Sequence, residues 1–162
     1  MSERLTTSEG PAPQPDADLG YLFRLAHQRF RALLDSALED LGLSAQDYGI
    51  LSLFETRPEL STSELARISQ VTRQTMHTSV LSLEAAGLVE RSARNQRVVL
   101  VRPTRQGREC LETAAGRVRA VEHAALAELS HEAERTVRAW LASLAAMTAS
   151  PGQDGARQEE KS

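Results

Sequence analysis

From Leu19 onward, hydrophobic residues recur every three or four positions, which is the period of an amphipathic α-helix. The apolar positions of this segment are Leu22, Phe23, Ala26, Phe30, Leu33, Leu34, Ala37, Leu38 and Leu41. The pattern stops at Gly42, a residue type that commonly ends helices. We therefore predict a long first helix over residues 19–41 with a broad apolar face.

A second amphipathic helix is predicted to follow the first. Ser44 stands at the N-cap position, where its hydroxyl can accept a hydrogen bond from a backbone N–H of the first turn. Tyr48, Leu51 and Phe54 lie along one side of this helix, and Pro58 closes it.

The sequence "STSELARISQ" predicts a short third helix that begins with a capping box. In this motif the Ser61 hydroxyl accepts from the backbone of Glu64, while the Glu64 carboxylate reaches back to the backbone of Ser61. Leu65 and Ile68 form the apolar side of the helix. A fourth helix, "TRQTMHTSVLSLEAA", follows a few residues later and ends at Gly87.

After the fourth helix the hydrophobic period changes from 3.6 residues to 2, which is the period of a β-strand. The segments "LVERS" and "RVVLVRP" alternate and are rich in β-branched residues, and they flank the polar "ARNQ". This arrangement predicts a β-hairpin with Arg94 and Asn95 near its tip. Pro103 ends its second strand.

Two long helices are predicted at the end of the pattern. Thr104 caps the first, over residues 105–127, and Ser130 caps the second. The apolar side of the last helix consists of Val137, Trp140, Leu141, Leu144 and Met147. The apolar faces of residues 19–41 and 130–148 are too wide for a monomer of this layout to bury, which favours a dimer.

The order of elements predicts a mainly α fold with a small β-hairpin wing, that is, a winged helix-turn-helix with N- and C-terminal dimerisation helices. The winged helix-turn-helix would span residues 44–103. The dimerisation helices would span residues 19–41 and 105–148, and all of these elements would form a single domain over residues 19–148.

Length and composition narrow the class of protein. A chain of 162 residues suits one domain, and 41% hydrophobic residues are enough for a core. No window approaches the ~18 uninterrupted apolar residues of a membrane span, and the N-terminal region has no apolar signal-peptide core, so we expect a cytoplasmic protein. Residues 1–17 and 150–162 are polar without periodicity and are predicted to be disordered.

Charge is distributed unevenly along a chain whose net charge is −3. Residues 61–102 carry 6 Arg/Lys against 3 Asp/Glu, whereas residues 1–60 carry 5 against 10 and residues 103–162 carry 8 against 9. The one basic block therefore contains the fourth helix and the hairpin. A basic block favours nucleic-acid binding, although a solvated segment could show the same excess.

The fourth helix has two faces of different chemistry. Met76, Val80 and Leu83 recur at i, i+4 and i+7 and form one apolar stripe. Hydrogen-bonding side chains that can read base edges occupy the opposite side: Arg73, Gln74, His77 and Thr78. Arginine pairs with guanine, glutamine with adenine, and threonine contacts the thymine methyl group. An ordinary amphipathic helix is the alternative interpretation.

These segments resemble the multiple-antibiotic-resistance regulator (MarR) family of bacterial winged helix-turn-helix proteins. The resemblance covers roughly residues 19–148 and rests on "STSELARISQVTRQTMHTSVLSLEAAGLVER", on "NQRVVLVRPTRQG" and on the long flanking helices. It implies a homodimer whose first and last helices interleave. It also implies a repressor of transcription that is released by a small phenolic or carboxylate effector. Two-fold symmetry would require a pseudo-palindromic double-stranded DNA operator.

The resemblance also implies further DNA contacts. Four hydroxyl residues are expected to contact phosphates, helped by helix N-termini: Ser61, Thr62, Thr72 and Thr75. Arg94 and Arg97 would serve the wing, and Arg97 corresponds to the arginine that enters the minor groove in the family. Asn95 stands where the family has an aspartate that braces this arginine, and the wing is shorter than usual.

Polar residues on the first helix are candidates for the family's effector pocket. Arg24, His27 and Arg31 recur there at helical spacing, and together with Tyr48 they could bind a phenolic or carboxylate effector. Arg24 and Arg31 could equally be solvated or paired with Asp35.

Motifs of enzymes, cofactors and metal sites were not found in the sequence. There is no glycine-rich phosphate loop and no nucleophile elbow, and no two of the four histidines stand at i, i+4. The lone cysteine, Cys110, excludes an intrachain disulfide and is expected to be a packing residue rather than a redox sensor. Two alternatives remain open, a protein–protein module and a small-molecule-binding dimer without DNA. The short wing, Asn95 and an exposed Leu81 would support the former.

Overall fold

The computed structural model of the chain describes residues 14, 16–95 and 98–147. Contacts divide the chain into two units, of which the first ends at Glu122 and the second begins at His123. The single domain over residues 19–148 therefore stays a prediction. Almost all of the predicted N-terminal arm and the whole predicted tail lie outside the described residues.

The order of helices and strands agrees with the sequence prediction. The described elements are α1 (Leu19–Leu38), a 3-10 turn (Glu39–Leu41), α2 (Ala45–Ser52), a second 3-10 turn (Leu53–Glu55), β1 (Leu60–Ser61), α3 (Thr62–Ile68), α4 (Arg73–Ala85), β2 (Val89–Asn95), β3 (Val98–Pro103), α5 (Arg105–Leu126) and α6 (His131–Ala146). The fold is thus mainly helical with a small antiparallel sheet, as predicted.

Hydroxyl side chains start the helices where the sequence placed them. Ser44 and Ser61 each accept a hydrogen bond from the backbone N–H three residues later and complete a capping box. Ser130 accepts in the same way at the start of α6, and so does Thr72 at the start of α4, a cap that the sequence analysis did not predict. Gly42 has a φ of 67°, which explains why the first helical segment ends there.

The predicted hairpin is formed by β2 and β3. Its antiparallel register runs from Val89 opposite Pro103 at the base to Asn95 opposite Val98 at the far end, with an irregularity between Ala93 and Asn95. Strand β2 therefore reaches farther toward the tip than the predicted segment "LVERS".

A third strand was missed by the sequence analysis. Leu60 and Ser61 pair with Val101 and Leu100, which makes β3 the central strand of a sheet ordered β1-β3-β2. Two residues are too short to show a period, so only their pairing with β3 defines them as a strand. Because Ser61 is also the N-cap of α3, this strand joins the wing directly to the helix-turn-helix.

One hydrophobic core holds α2, α3 and α4 against the base of the sheet, the start of α5 and the end of α1. Its most deeply buried large side chains are Leu38, Ile50, Leu51, Leu65, Met76, Val80, Val89 and Val101. The predicted stripe of α4 is confirmed, since Met76, Val80 and Leu83 are all buried. The opposite side of α4 is consequently left toward solvent.

The turn between α3 and α4 depends on one residue in an unusual conformation. Gln70 has a φ of 53°, in the left-handed region that side chains other than glycine and asparagine seldom adopt. The backbone N–H of Val71 then donates to the carbonyl of Ala66 at 3.1 Å, which closes the turn. No sequence signal marked Gln70 as the turning residue.

Helix α5 is tied to the end of α4 at a very close contact. The Thr104 hydroxyl donates to the carbonyl of Gly87 at 2.7 Å and accepts from the N–H of Gly107 at 3.0 Å, as expected of the predicted cap. A Cβ at Gly107 would lie 1.9 Å from the carbonyl oxygen of Leu88. Only glycine fits at this position without a shift of the backbone.

Farther along, α5 is also joined to the turn that follows α1. The Arg117 guanidinium pairs with both carboxylate oxygens of Asp40 and donates to the carbonyl of Ala37 at 3.1 Å. The hydrogen bonds from Arg117 lower the pKa of Asp40 below its ordinary value. These contacts lie within the first unit and hold its α5 segment in register with the end of α1.

We expect Gly107→Ala to destabilise the protein by about 1–3 kcal/mol, because the new methyl group would collide with the Leu88 carbonyl. Gly116→Ala is the matched control on the same helix, since a Cβ there meets nothing closer than an arginine nitrogen at 4.0 Å. The control should stabilise the helix by about 1 kcal/mol. Urea unfolding of both variants measures the difference, and similar effects would contradict the close contact.

Candidate nucleic-acid interface

All four predicted base-reading residues are exposed on α4. Arg73 is the first residue of the helix, and its exposed guanidinium makes no ion pair with any described residue. Gln74 and Thr78 are exposed one turn apart, opposite the buried stripe. The Thr78 hydroxyl donates to the carbonyl of Gln74 at 3.1 Å, which leaves its methyl group and lone pairs free to face a ligand. Leu81 is 39% exposed.

His77 lies one turn after Arg73, on the flank of α4 that faces the hairpin. It lines a cleft of about 250 Å³ between the start of α3, α4 and the hairpin. Residues from all three elements share this cleft: Ser61, Thr62, Ser63, His77, Arg91, Val98 and Val99. The structure therefore groups His77 with two of the predicted phosphate contacts.

The predicted phosphate-binding hydroxyls are partly engaged in helix caps. Thr72 and Thr75 are exposed, and their hydroxyl oxygens lie 2.8 Å apart. Ser61 donates its N–H and its hydroxyl proton to the carboxylate of Glu64, at 2.9 and 2.6 Å. A phosphate accepts hydrogen bonds only, so Ser61 would have to give up one of these bonds to contact it. All four phosphate contacts stay predictions.

The structure describes little of the two wing residues that the sequence predicts to contact DNA. Arg97 lies outside the described residues, and for Arg94 and Asn95 the structure describes the backbone in β2 without the side chains. The proposed minor-groove contacts of Arg94 and Arg97 therefore stay predictions.

Carboxylates within the basic block are paired locally. Glu84 of α4 bonds Arg91 of β2 at 2.6–2.7 Å, and Glu90 bonds Arg102 across the sheet at 2.8 Å. The pairing with Arg91 lowers the pKa of Glu84. The third acid, Glu64, has its pKa lowered by the hydrogen bonds from Ser61 in the capping box. Each negative charge of the block is thus held by a neighbour.

The candidates for effector binding are not brought into one described contact. Arg24 lies over the ring of Tyr21, with its guanidinium carbon 5.3 Å from the ring centre. Arg31 lies 3.8 Å from Asp35, the pairing that the sequence left open as an alternative. His27 is exposed on the same helix. The effector role of these α1 residues stays a prediction.

Tyr48 has a half-buried environment of its own. It packs against the core, and burial raises the pKa of its phenol, with further contributions from the charges of Glu55 and Glu122. Arg119 acts in the opposite direction. The charged groups that influence Tyr48 are therefore different from the arginines that the sequence grouped with it.

Cys110 is half-buried against the core, and burial raises the pKa of its thiol. A raised pKa lowers the thiolate fraction, which agrees with a packing role. Within the described residues no group of three His, Cys, Asp or Glu side chains could hold a metal ion. None of the helices described is both long and apolar enough to cross a membrane.

A capped short helix, a second helix with a polar outer face and an adjoining hairpin define a winged helix-turn-helix protein, a class that docks its second helix in the major groove of DNA. Residues 41–97 match the sequence model of the MarR family. The HTH-type transcriptional repressor Rv2887 of Mycobacterium tuberculosis is 35% identical over 131 residues, which cover 80% of this chain and 94% of the repressor. The chain therefore belongs to the MarR family.

Solved structures support the same assignment. Rv2887 in complex with DNA is 35% identical, with a TM-score of 0.67, and covers 80% of this chain and 98% of that one. Rv2887 in complex with salicylic acid has a TM-score of 0.64 at the same identity and the same coverage. A probable transcriptional regulator from Pseudomonas aeruginosa is 29% identical, with a TM-score of 0.74 and coverage of 81% and 99%.

We expect the Glu84–Arg91 pair to contribute stability that depends on pH. Because the folded pKa of Glu84 lies below its ordinary value of 4.5, the contribution is complete above that value and is lost as the pH falls through the folded pKa. The difference in unfolding free energy between wild type and Glu84→Gln should therefore be larger near about pH 6 than near about pH 3. Urea titrations at both pH values measure it. In an Arg91→Gln background the same Glu84→Gln substitution should show a smaller trend, because the charge that stabilises the Glu84 carboxylate is gone.

Proposed function

We propose that this chain is a cytoplasmic, homodimeric transcriptional repressor that binds double-stranded DNA and is released by a small aromatic acid. It acts without catalysis and without a cofactor. The observation that carries the proposal is the outer face of α4, which from Arg73 to Ser82 is exposed, free of carboxylates and polar except for Leu81, opposite a fully buried stripe. The related repressor Rv2887 has been crystallised with DNA, which supports the same role here.

The side chains divide into those that read bases and those that position the protein. Arg73, Gln74 and Thr78 meet base edges in the major groove, and His77 approaches from the flank that faces the wing. Hydroxyls at the helix starts meet phosphates on both sides of the groove: Ser61, Thr62, Thr72 and Thr75. Arg94 and Arg97 of the wing extend the contact to the minor groove.

We expect Gln74→Ala to weaken binding to a specific duplex by ~1–3 kcal/mol and to relax the preference at one base pair, because a bidentate base contact is lost. The specific probe is the tightest duplex that the wild-type protein selects from a random-sequence pool, and its base-shuffled version is the reference. Affinity for the shuffled duplex should hardly change. Gln106→Ala, an exposed glutamine on α5, is the control. Equal losses on both duplexes would mean that Gln74 does not read sequence.

The dimer is supported by apolar side chains that remain exposed in the single chain. The predicted apolar residues of α6 and its C-cap are all 37–74% exposed: Val137, Trp140, Leu141, Leu144 and Met147. On α1, Leu19, Tyr21 and Phe23 are 43–63% exposed. Apolar faces of this kind mark interfaces between proteins. A second copy of the chain would cover them.

We expect sedimentation at micromolar concentration to give about twice the chain mass of 17.7 kDa. Leu141→Arg should weaken the dimer by at least about tenfold, because an unpaired charge would be buried in the interface. Ala142→Arg is the control, since residue 142 lies on the side of the helix opposite the centre of its apolar face. A wild-type protein that sediments as a monomer and still binds a palindromic duplex would rule out the obligate dimer.

The effector class follows from the candidate residues and from the salicylic acid complex of Rv2887. The arginines on α1 can pair with a carboxylate, and Tyr48 can donate from a phenol whose raised pKa keeps it protonated at neutral pH. An aromatic acid such as salicylate has a carboxylate that can pair with the arginines and oxygen atoms that can accept a hydrogen bond from Tyr48. It would favour a conformation of the dimer that holds DNA less tightly.

We expect salicylate to lower the affinity of the wild-type protein for its selected duplex. Arg24→Gln and Arg31→Gln should each raise the salicylate concentration needed by about fivefold or more, because a charge-assisted hydrogen bond to the carboxylate is lost. Arg135→Gln on α6 is the control. Fluorescence anisotropy of a labelled duplex during a salicylate titration measures the shift, and unchanged midpoints in both variants would exclude these arginines from the effector site.

A further inference from the structure

Helix α4 carries a polar contact on the flank that faces α2. Gln46, in the first turn of α2, donates from Nε2 to the hydroxyl oxygen of Ser79 in the middle of α4, at 2.8 Å. Ser79 in turn donates to the carbonyl of Thr75 at 3.2 Å. Both side chains are half-buried. The contact therefore joins two helices at residues that are 33 positions apart in the sequence.

The start of α2, from which Gln46 projects, is itself fixed. The backbone N–H of Ala45 donates to a carboxylate oxygen of Asp35 on α1 at 2.7 Å. Ser44 and Asp47 close a capping box around the same turn. Gln46 thus reaches α4 from a turn whose backbone is held on both sides, so the hydrogen bond to Ser79 refers the position of α4 to a fixed segment of α2.

The rotation of α4 about its own axis, here called its roll, decides where its outer side chains point. The core anchors α4 along one stripe, through Met76, Val80 and Leu83. A side-chain tip on the outer face lies about 6 Å from the helix axis, so a roll of about 10° moves it by about 1 Å. Hydrogen bonds to bases tolerate about half that displacement.

The two flanks of α4 are in a position to set this roll. Ser79 is tied to Gln46 on the side of α2, and Glu84 is tied to Arg91 on the side of the hairpin. The pair with Arg91 is an ion pair near the end of the helix. The bond to Gln46 is half-buried and lies next to Thr78 along the helix, between the buried stripe and the reading face.

We propose that Gln46 and Ser79 are positioning residues for base recognition, because their hydrogen bond sets the roll of α4 and thereby the direction of Gln74 and Thr78. The proposal rests on the proposed DNA-binding function. Neither residue reads a base itself. Ser61 and Thr62, two of the proposed phosphate contacts, lie on β1 and α3 rather than on α4, so a small roll of α4 leaves them in place while it moves the base-reading side chains.

The test measures sequence preference rather than affinity alone. Gln46→Met keeps the length of the side chain and removes its donor, Ser79→Ala removes the acceptor, and the double variant removes both. The control is Ser52→Ala, which removes a hydroxyl bond that stays within α2, at 2.9 Å to the carbonyl of Gly49. Ser79→Thr retains the hydroxyl and serves as the rescue variant. Affinities are measured for the selected duplex and for its base-shuffled version.

We expect Gln46→Met and Ser79→Ala each to reduce affinity for the selected duplex by about 3- to 10-fold, the equivalent of one hydrogen bond, and to change affinity for the shuffled duplex by less than about twofold. The double variant should lose no more than either single variant, because one bond is involved. Ser79→Thr should recover most of the preference, and Ser52→Ala should leave it intact.

Three outcomes would overturn the proposal. Equal losses of affinity on both duplexes would show a merely structural role. Additive losses in the double variant would show that the two residues act separately. An unchanged preference for the selected duplex would show that the bond does not set the roll. If the wild-type protein selects no sequence at all, the proposed function fails as well. A wild-type protein that selects a sequence, combined with unaffected variants, would reject the positioning role and leave the proposed function standing.

Discussion

Burial of Met76, Val80 and Leu83 in the shared core is the constraint on which the interface depends. Full burial of an aliphatic side chain contributes roughly 1.5–3 kcal/mol, so turning this stripe toward water would cost several kcal/mol. That cost decides which side of α4 faces outward. The reading face is therefore selected by the apolar residues and not by the polar ones, which remain exposed because the core excludes them.

Local pairing of carboxylates explains how a chain with a negative net charge can bind DNA. Glu84 and Glu90 are held by Arg91 and Arg102, and Glu64 is held in the cap of α3. A paired carboxylate presents a weaker field to an approaching phosphate than a free one does. Over the roughly 8 Å that charges act in physiological salt, the local balance of charge matters more than the sum over the chain. Arg73 of α4 forms no ion pair with a described residue and keeps its charge available.

Much of the fold could be predicted from the sequence because its signals are local. Caps at Ser44 and Ser61, the end of a helix at Gly42 and the stripe of α4 each depend on residues a few positions apart. The features that escaped prediction depend on partners distant in the chain. Strand β1 exists through its pairing with β3, and the fit of Gly107 against Leu88 depends on how α5 meets the sheet. No period or motif encodes such contacts.

The site shows the same division between local and distant signals. The helical period correctly placed Gln74 and Thr78 on the outer face, because that placement follows from α4 alone. It could not show that His77 shares a cleft with the start of α3, or that Tyr48 is influenced by Glu55 and Glu122 rather than by the arginines of α1. These environments arise from packing between elements, which the sequence pattern does not describe.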